Sequence, residues 1–338
     1  MSPPKDMVSL KDVAQRAGVS LMTVSRAINY PEQLKPETLQ RVQQAIASLN
    51  YVPDFSARKI RNNNGKKVST LGVLSLDTAT TPFSVDILLA IEDTAREFGW
   101  AAFFVNLTSH QDDERTINHL LAQRPDGIIY TAMGLRQVTV PERLKDQNLV
   151  LANCTTKENN FPAYVPNDFD GQYQAVRKAI EMGYRRPLCF YLPETAIASQ
   201  CRRGGAELAW REAGLPPQDL RQFHMADGEG HYPDVVPFIE QHCPHNIPDF
   251  DLLICGNDRI AFLAYQVLLT KGITIPQQVA VLGYDNLVGI GDLFLPPLTT
   301  VQLPHHEIGR EAVLHLIEGR ESTGIQTLHC PLLVRQSM

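Results

Sequence analysis

Few stretches of this 338-residue chain gather residues that could do chemistry. His242, Cys243 and His245 could ligate a metal, but a proline-containing loop with no distant partner reads better as solvated surface. His110, Asp112, Asp113 and Glu114 could form a carboxylate site, yet acids in the first turn of a helix are favoured there by the dipole alone. His305, His306 and Glu307 open another helix and offer no catalytic geometry by themselves. The Walker loop, Gly-x-Gly-x-x-Gly and Gly-x-Ser-x-Gly are absent, and Gly289 with Gly291 alone makes no dinucleotide loop. The expectation is a protein that is not an enzyme and carries no metal or cofactor.

The polar residues of 20–26 have a clearer use. Leu10, Val13, Ala14 and Ala17 share one helical face, with Ser9 and Asp12 as a capping pair and Gly18 as the stop. Ser20 is placed to cap a second helix in which Val24, Ala27 and Ile28 face inward, leaving Leu21, Met22, Thr23, Ser25 and Arg26 outside. Leu21 could instead pack inward, three residues before Val24. This is a helix-turn-helix, whose second helix reads the DNA major groove. Thr23, Ser25 and Arg26 suit base or phosphate contacts, and Leu21 and Met22 suit thymine methyls. Pro36 opens a third helix, with Leu39, Val42, Ile46 and Leu49 closing a small core.

Charge divides along the chain in the same sense. Residues 1–67 hold 11 Lys and Arg against 5 Asp and Glu, whereas the remainder holds 20 against 32. A basic head neutralises phosphates, and an acidic body discourages indiscriminate binding of nucleic acid elsewhere.

The string from Leu10 to Ile28, followed by Leu49-Asn50-Tyr51-Val52-Pro53, resembles the headpiece of the LacI/GalR family of bacterial sugar-responsive repressors. The likeness continues in Pro82-Phe83, Pro125-Asp126-Gly127-Ile128, Asn257-Asp258, Gly283-Tyr284-Asp285-Asn286 and Pro296-Pro297-Leu298-Thr299-Thr300. It implies Asn50 and Tyr51 as further DNA contacts. Residues 54–61 could make two helical turns, too few to be stable alone in water. In the family this segment folds against its symmetry mate on the operator, which puts Ile60 in the minor-groove wedge position and Ala57 at the contact between hinge helices.

The rest of the chain alternates strand and helix. Strands are expected at 69–76, 101–107, 126–132, 148–152, 188–192, 252–255, 279–283 and 328–334. Helices are expected at 84–98, 112–124, 200–213, 233–242, 258–271 and up to Gly319. The fold class expected is an all-α helix-turn-helix head plus an α/β two-lobe body like that of periplasmic binding proteins, with parallel sheets flanked by helices. Its domains would be a 1–53 head, a 54–67 hinge and linker, and a 68–338 effector and dimerisation domain. The first lobe would take 68–166 and 297–325, and the second 167–296 and 326–338, with crossings near Asn167, Pro296 and Gln326.

The resemblance implies a cleft that holds a neutral polyhydroxylated ligand. Arg202, three residues before Gly205, matches the arginine that forks onto ligand hydroxyls, Asp285 the acidic acceptor, and Asn257 an amide donor and acceptor. Asn153 falls where other members carry aspartate, and Pro82 and Phe83 would supply apolar contact. His231 and Tyr232 lie where a sugar-stacking aromatic is sometimes found. Each polar residue has a plainer alternative: Arg202 paired with surface acids, Asp285 capping a turn, Asn257 capping the following helix. Ala206 replaces the family's bulky aromatic beside the arginine.

The function this implies is a homodimeric repressor that binds operator DNA and lets go when a sugar closes the cleft. Sucrose or a component sugar is the expected effector; another sugar, or a purine or nucleoside corepressor, is the alternative. Six cysteines without paired spacing suggest free thiols. With no apolar signal core and no apolar run of about 18 residues, the expectation is a cytoplasmic, nucleoid-associated protein without membrane contact. No apolar heptads follow the last strand, so a tetramerising C-terminal helix is not expected.

Overall fold

The computed structural model describes residues 8–49, 51, 68–77, 85–107, 113–287 and 290–338. Asn50, Ala57, Ile60, Pro82, Phe83 and the 54–61 hinge lie outside the described residues. The chain divides into two compact units, Met1–Ser69 and Thr70–Met338.

The first unit is helical. Helix α1 (Leu10–Ala17) starts at a reciprocal capping box, in which Ser9 N–H donates to Asp12 Oδ2 at 2.8 Å and Asp12 N–H returns to Ser9 Oγ at 3.4 Å. It stops at Gly18, whose φ of 64° is the left-handed value that glycine adopts without a Cβ penalty. Helix α2 (Leu21–Asn29) is capped by Ser20, whose Oγ accepts from Thr23 N–H at 3.1 Å. Helix α3 (Pro36–Leu49) closes over both. Val13, Ala14, Ala17, Val24, Ala27, Val42 and Ala45 form the core, and Leu10, Ile28, Leu39, Ile46 and Leu49 pack at its rim.

The second unit holds two six-stranded sheets. The first has strand order β11-β5-β4-β3-β1-β2 and is parallel throughout. Its strands are β1 (Thr70–Leu76), β2 (Ala101–Leu107), β3 (Gly127–Gln137), β4 (Leu149–Thr155), β5 (Ala163–Pro166) and β11 (Ile325–Leu328). Helices α4 (Val85–Glu97) and α10 (His305–Glu318) cover one face, and α5 (Asp113–Ala122) the other. The second sheet has order β12-β10-β9-β8-β6-β7, with only β12 antiparallel. It comprises β6 (Pro187–Tyr191), β7 (Arg221–His224), β8 (Leu252–Cys255), β9 (Ala280–Asp285), β10 (Thr299–Gln302) and β12 (Leu332–Leu333). Helices α6 (Asp168–Glu181) and α7 (Ile197–Glu212) pack on one face, α8 (Val235–Gln241) and α9 (Asp258–Thr270) on the other. Strands buried on both faces explain the continuous apolar runs of β4, β6 and β8.

Two expected crossings move. The chain does not leave the second sheet at Pro296, because β10 pairs in parallel with β9, Thr299 opposite Leu282 through Gln302 opposite Asp285. It crosses only after Gln302. Nor does it leave the first sheet at Gln326: Ile325–Leu328 pairs with β5, and the single strand expected at 328–334 divides into β11 and β12 in different sheets. β10 shows no apolar run in the sequence, because Thr299 and Thr300 interrupt it. Both are buried and bonded, Thr300 Oγ1 donating to Asp258 at 2.8 Å and Thr299 Oγ1 accepting from Arg335 N–H at 2.9 Å.

Candidate functional site: a polar cavity and a capped recognition helix

The carboxyl ends of parallel strands in α/β folds converge on ligand sites. Here the ends of β3, β4 and β5 from one sheet and of β9 and β10 from the other border a cavity of about 580 Å³. Four expected residues come together on its wall: Asn153, Arg202, Asn257 and Asp285. Tyr232 joins them; His231 does not line the cavity and binds Asp234 Oδ2 at 2.9 Å near the surface.

Arg202 is held from several sides. It sits on α7 and is 3% exposed; Nε donates to Asp168 Oδ1 at 2.8 Å and Nη1 to Gly256 O at 2.5 Å. Its Cζ lies 3.5 Å from the Tyr284 ring centroid, and Nη2 is 3.7 Å from Asp285 Oδ1. The partner of Arg202 is therefore a buried acid and not a surface one. Gly256 has to be glycine, because a Cβ there would sit 2.6 Å from Leu192 N. Burial opposes the guanidinium charge, but Asp168, Tyr284 and Asp285 together outweigh it and raise its pKa.

Asp285 ends β9 with φ of 117°. Burial pushes its carboxyl well above the ordinary range, partly offset by Arg202. Beneath it, Asp258 accepts from Leu287 N–H at 3.0 Å and from the Thr300 hydroxyl, fixing the loop that follows Asp285. Burial raises Asp258 to about 6 despite those bonds.

Asn257 does two things. Its Oδ1 accepts from Ile260 N–H at 3.0 Å, capping α9, while Nδ2 donates to Tyr232 Oη at 2.8 Å. The plainer alternative and the cavity position thus hold together. Asn153 takes a left-handed backbone at φ of 58° and donates from Nδ2 to Ala132 O at 3.2 Å, leaving the cavity wall there without a charge.

Sequence reasoning missed Asp168, Arg136, Arg259 and His305, which also line the cavity. Arg136 is tied to Asp77 and Met133 O, at 3.2 and 2.6 Å. Arg259 lies over the Tyr232 ring, 3.8 Å from its centroid. His305 had been set aside as a helix start; in the structure that start opens on the cavity. Burial, then Arg202, lowers its pKa to about 4, so the imidazole is neutral. Only the crossing of the chain after β10 brings it there.

Of the other candidate clusters, the one at 110–114 lies partly outside the described residues, His110 and Asp112 among those left out. His242 pairs with Asp249 at 3.2 Å, and among the described residues no three His, Cys, Asp or Glu side chains group as metal ligands. All six cysteines are free, with burial raising Cys154, Cys189 and Cys330 to about 12.

On the helical unit, Leu21 and Met22 are 49% and 65% exposed, so Leu21 faces outward. Arg26 is exposed and Ser25 half-buried, and the Thr23 hydroxyl is bonded to Ser20 Oγ at 2.9 Å. Tyr51 packs against the helical core. A capped, two-turn helix displaying apolar and basic side chains together is the geometry of a major-groove reader. Among the described residues no helix is long and apolar enough to cross a membrane.

Known proteins share both parts. Residues 9–54 match bacterial regulatory proteins of the lacI family, and residues 68–336 match the periplasmic binding proteins and sugar binding domain of the LacI family. The chain is 59% identical over 331 residues to the sucrose operon repressors of Shigella flexneri and Escherichia coli, covering 98% of this chain and all of theirs. It is 30% identical to the HTH-type transcriptional repressor PurR of Glaesserella parasuis, over 92% of this chain and 90% of that one. A crystal structure of the Lac repressor dimer bound to operator and the anti-inducer ONPF shares the fold, with a TM-score of 0.77 at 22% identity over 98% of this chain and 99% of that one. The chain belongs to the LacI family of bacterial regulatory proteins.

Proposed function

We propose that the protein represses a sugar-utilisation operon and leaves its operator when sucrose or a component sugar occupies the cavity. The observation that carries this is the cavity wall itself. A volume of about 580 Å³ lies within the roughly 300–1,000 Å³ of small-molecule sites. Amide, carboxyl and guanidinium groups converge on it, with Arg136, Arg202 and Arg259 facing Asp86, Asp168 and Asp285. Such a wall suits an uncharged ligand rich in hydroxyls. The 59% identity to sucrose operon repressors favours sucrose among such ligands.

DNA contact falls to Ser20, Leu21, Met22, Thr23, Ser25 and Arg26 of the recognition helix, with Asn50, Tyr51 and the Ala57 and Ile60 hinge beyond it. Two half-sites call for two heads, hence a homodimer acting in the cytoplasm on nucleoid DNA. The proposed domains are a 1–53 head, a 54–67 hinge and linker, and a 68–338 effector body. Pro82 and Phe83 would complete the sugar site. For sugar to release the operator it must favour the released conformation by several kcal/mol, whatever its absolute affinity.

A purine corepressor is the second reading, favoured by three arginines and an aromatic in one cavity. Against it, Arg259 already covers one face of Tyr232, and Arg136 is engaged by Asp77. The test is operator binding by the full chain, titrated with sucrose, fructose, glucose and hypoxanthine. Release by a sugar supports the proposal; tightening by hypoxanthine replaces it.

A further inference from the structure

We infer that Asp168 is a ligand-binding residue, its second carboxylate oxygen placed to accept a hydrogen bond from a hydroxyl of an uncharged, unphosphorylated sugar. The inference rests on the sugar reading and deepens it.

Two buried aspartates lie near the cavity, and they differ. Asp258 is fully satisfied: Oδ1 accepts from Thr300 and Oδ2 from Leu287 N–H. It serves the fold. Asp168 is 1% exposed and lines the cavity, yet only Oδ1 has a donor, Nε of Arg202; Oδ2 is buried with none. Buried carboxylate oxygens are rarely left so, because the water given up on burial is not replaced. The helix that Asp168 opens does not fill the vacancy, since the first-turn N–H of Asp170 goes to Asn167 Oδ1. Gln172 Nε2, one turn further on, makes no hydrogen bond, and the Tyr284 hydroxyl goes to Asp168 O, so neither serves Oδ2; a hydroxyl in the cavity that Asp168 lines is the donor that suits it.

The chemistry of that donor follows from its surroundings. Arg202 stands between two acids, Asp168 at 2.8 Å and Asp285 at 3.7 Å. The Asp168 carboxylate, already holding the guanidinium, disfavours a phosphate at this end of the cavity. It accepts a neutral hydroxyl, which can donate to Asp168 Oδ2 while its oxygen receives from Arg202 Nη2. A sugar hydroxyl is both donor and acceptor and fits this pair of needs.

Asp168 could matter solely by holding Arg202, and the test separates the two roles. Asp168→Asn keeps an oxygen for Arg202 Nε but turns an amide toward the ligand. Full-length protein and the variant are titrated calorimetrically with sucrose, a series of monodeoxysucroses and sucrose 6-phosphate; operator binding without sugar reports an intact fold. The expected result is sucrose binding weakened about 10- to 100-fold in Asp168→Asn, the loss of one charge-assisted hydrogen bond. One deoxy analogue should bind the variant as well as sucrose does, and the preference for sucrose over its phosphate should narrow. Asp168→Ser, which also removes the carboxylate, carries the same expectation should the asparagine variant misfold. Equal sucrose affinities in wild type and variant overturn the assignment, as does a deoxy series that loses the same increment in both. Wild-type protein that binds no sugar overturns the sugar reading and this inference with it.

Discussion

Arg202 lies over Tyr284, its Cζ 3.5 Å from the ring centroid, while its Nε reaches Asp168 at 2.8 Å. Planarity is what lets one side chain stack and hydrogen-bond at once. Arg202→Lys should therefore lose the ligand response even though it retains the charge. Arg202→Met leaves Asp168 buried without its cation and should destabilise the body by about 3–5 kcal/mol. Urea unfolding checks the second expectation; a loss under 1 kcal/mol would show that the acid is compensated elsewhere.

Asn257 separates capping from recognition. Asn257→Asp keeps the oxygen that accepts from Ile260 N–H but loses the amide donor to Tyr232, so stability should hold while sugar affinity falls. Asn257→Ala removes both and should also cost about 1 kcal/mol of stability as the cap is lost. Chemical denaturation beside calorimetric titration of the two variants decides it.

Asp258 and His305 make opposite contributions to stability between pH 4 and 6.5. Burial raises Asp258 from 3.8 to about 6, so the folded state holds the proton more tightly. Its contribution is present below pH 4 and is lost as pH rises to about 6, amounting to about 3 kcal/mol. Burial and Arg202 lower His305 from 6.5 to about 4; its contribution is present above pH 6.5 and is lost as pH falls toward 4. Acidification should hence destabilise Asp258→Asn more than wild type, and His305→Gln less. Unfolding free energies at half-unit steps from pH 4 to 7 test the signs, and parallel curves for all three proteins would refute them.

In the helical unit, exposure distinguishes reading from folding. Met22→Ala should change stability by under about 0.5 kcal/mol, because the side chain is 65% exposed, yet weaken operator binding. Arg26→Ala should lower the salt dependence of binding by about one phosphate contact. Ser20→Ala should instead lower the stability of the helical unit by about 1 kcal/mol through its lost cap. Unchanged operator affinity in Met22→Ala would remove that residue from the interface.

Gly205 is where α7 meets α6. A Cβ there would lie 2.2 Å from Phe169 O, so Gly205→Ala must push apart the helices that carry Arg202 and Asp168. A cost of about 3 kcal/mol is expected, with sugar binding impaired even where the variant folds. Thermal unfolding and sucrose titration would show it, and a wild-type melting point would exclude so tight an approach.

Local signals were enough for the helical unit. Ser9, Asp12, Gly18 and Ser20 act on neighbours three or four residues away, so the caps and the stop follow from the order of residues alone, whereas the outward direction of Leu21 was decided by the structure. The apolar runs of β6, β8 and β9 told of buried parallel strands for the same reason. Likeness to a family brought Asn153, Arg202, Asn257 and Asp285 forward. What the order of residues could not give is who meets whom across the chain. Asp168 finds Arg202 34 residues away, and Thr300 finds Asp258 across 42. His305 reaches the cavity because Thr299–Gln302 completes the second sheet before the chain returns to the first. Such pairings depend on strand order and on where the chain crosses between sheets. Periodicity within one segment carries no record of either, because sheet partners are chosen by burial summed over the whole body.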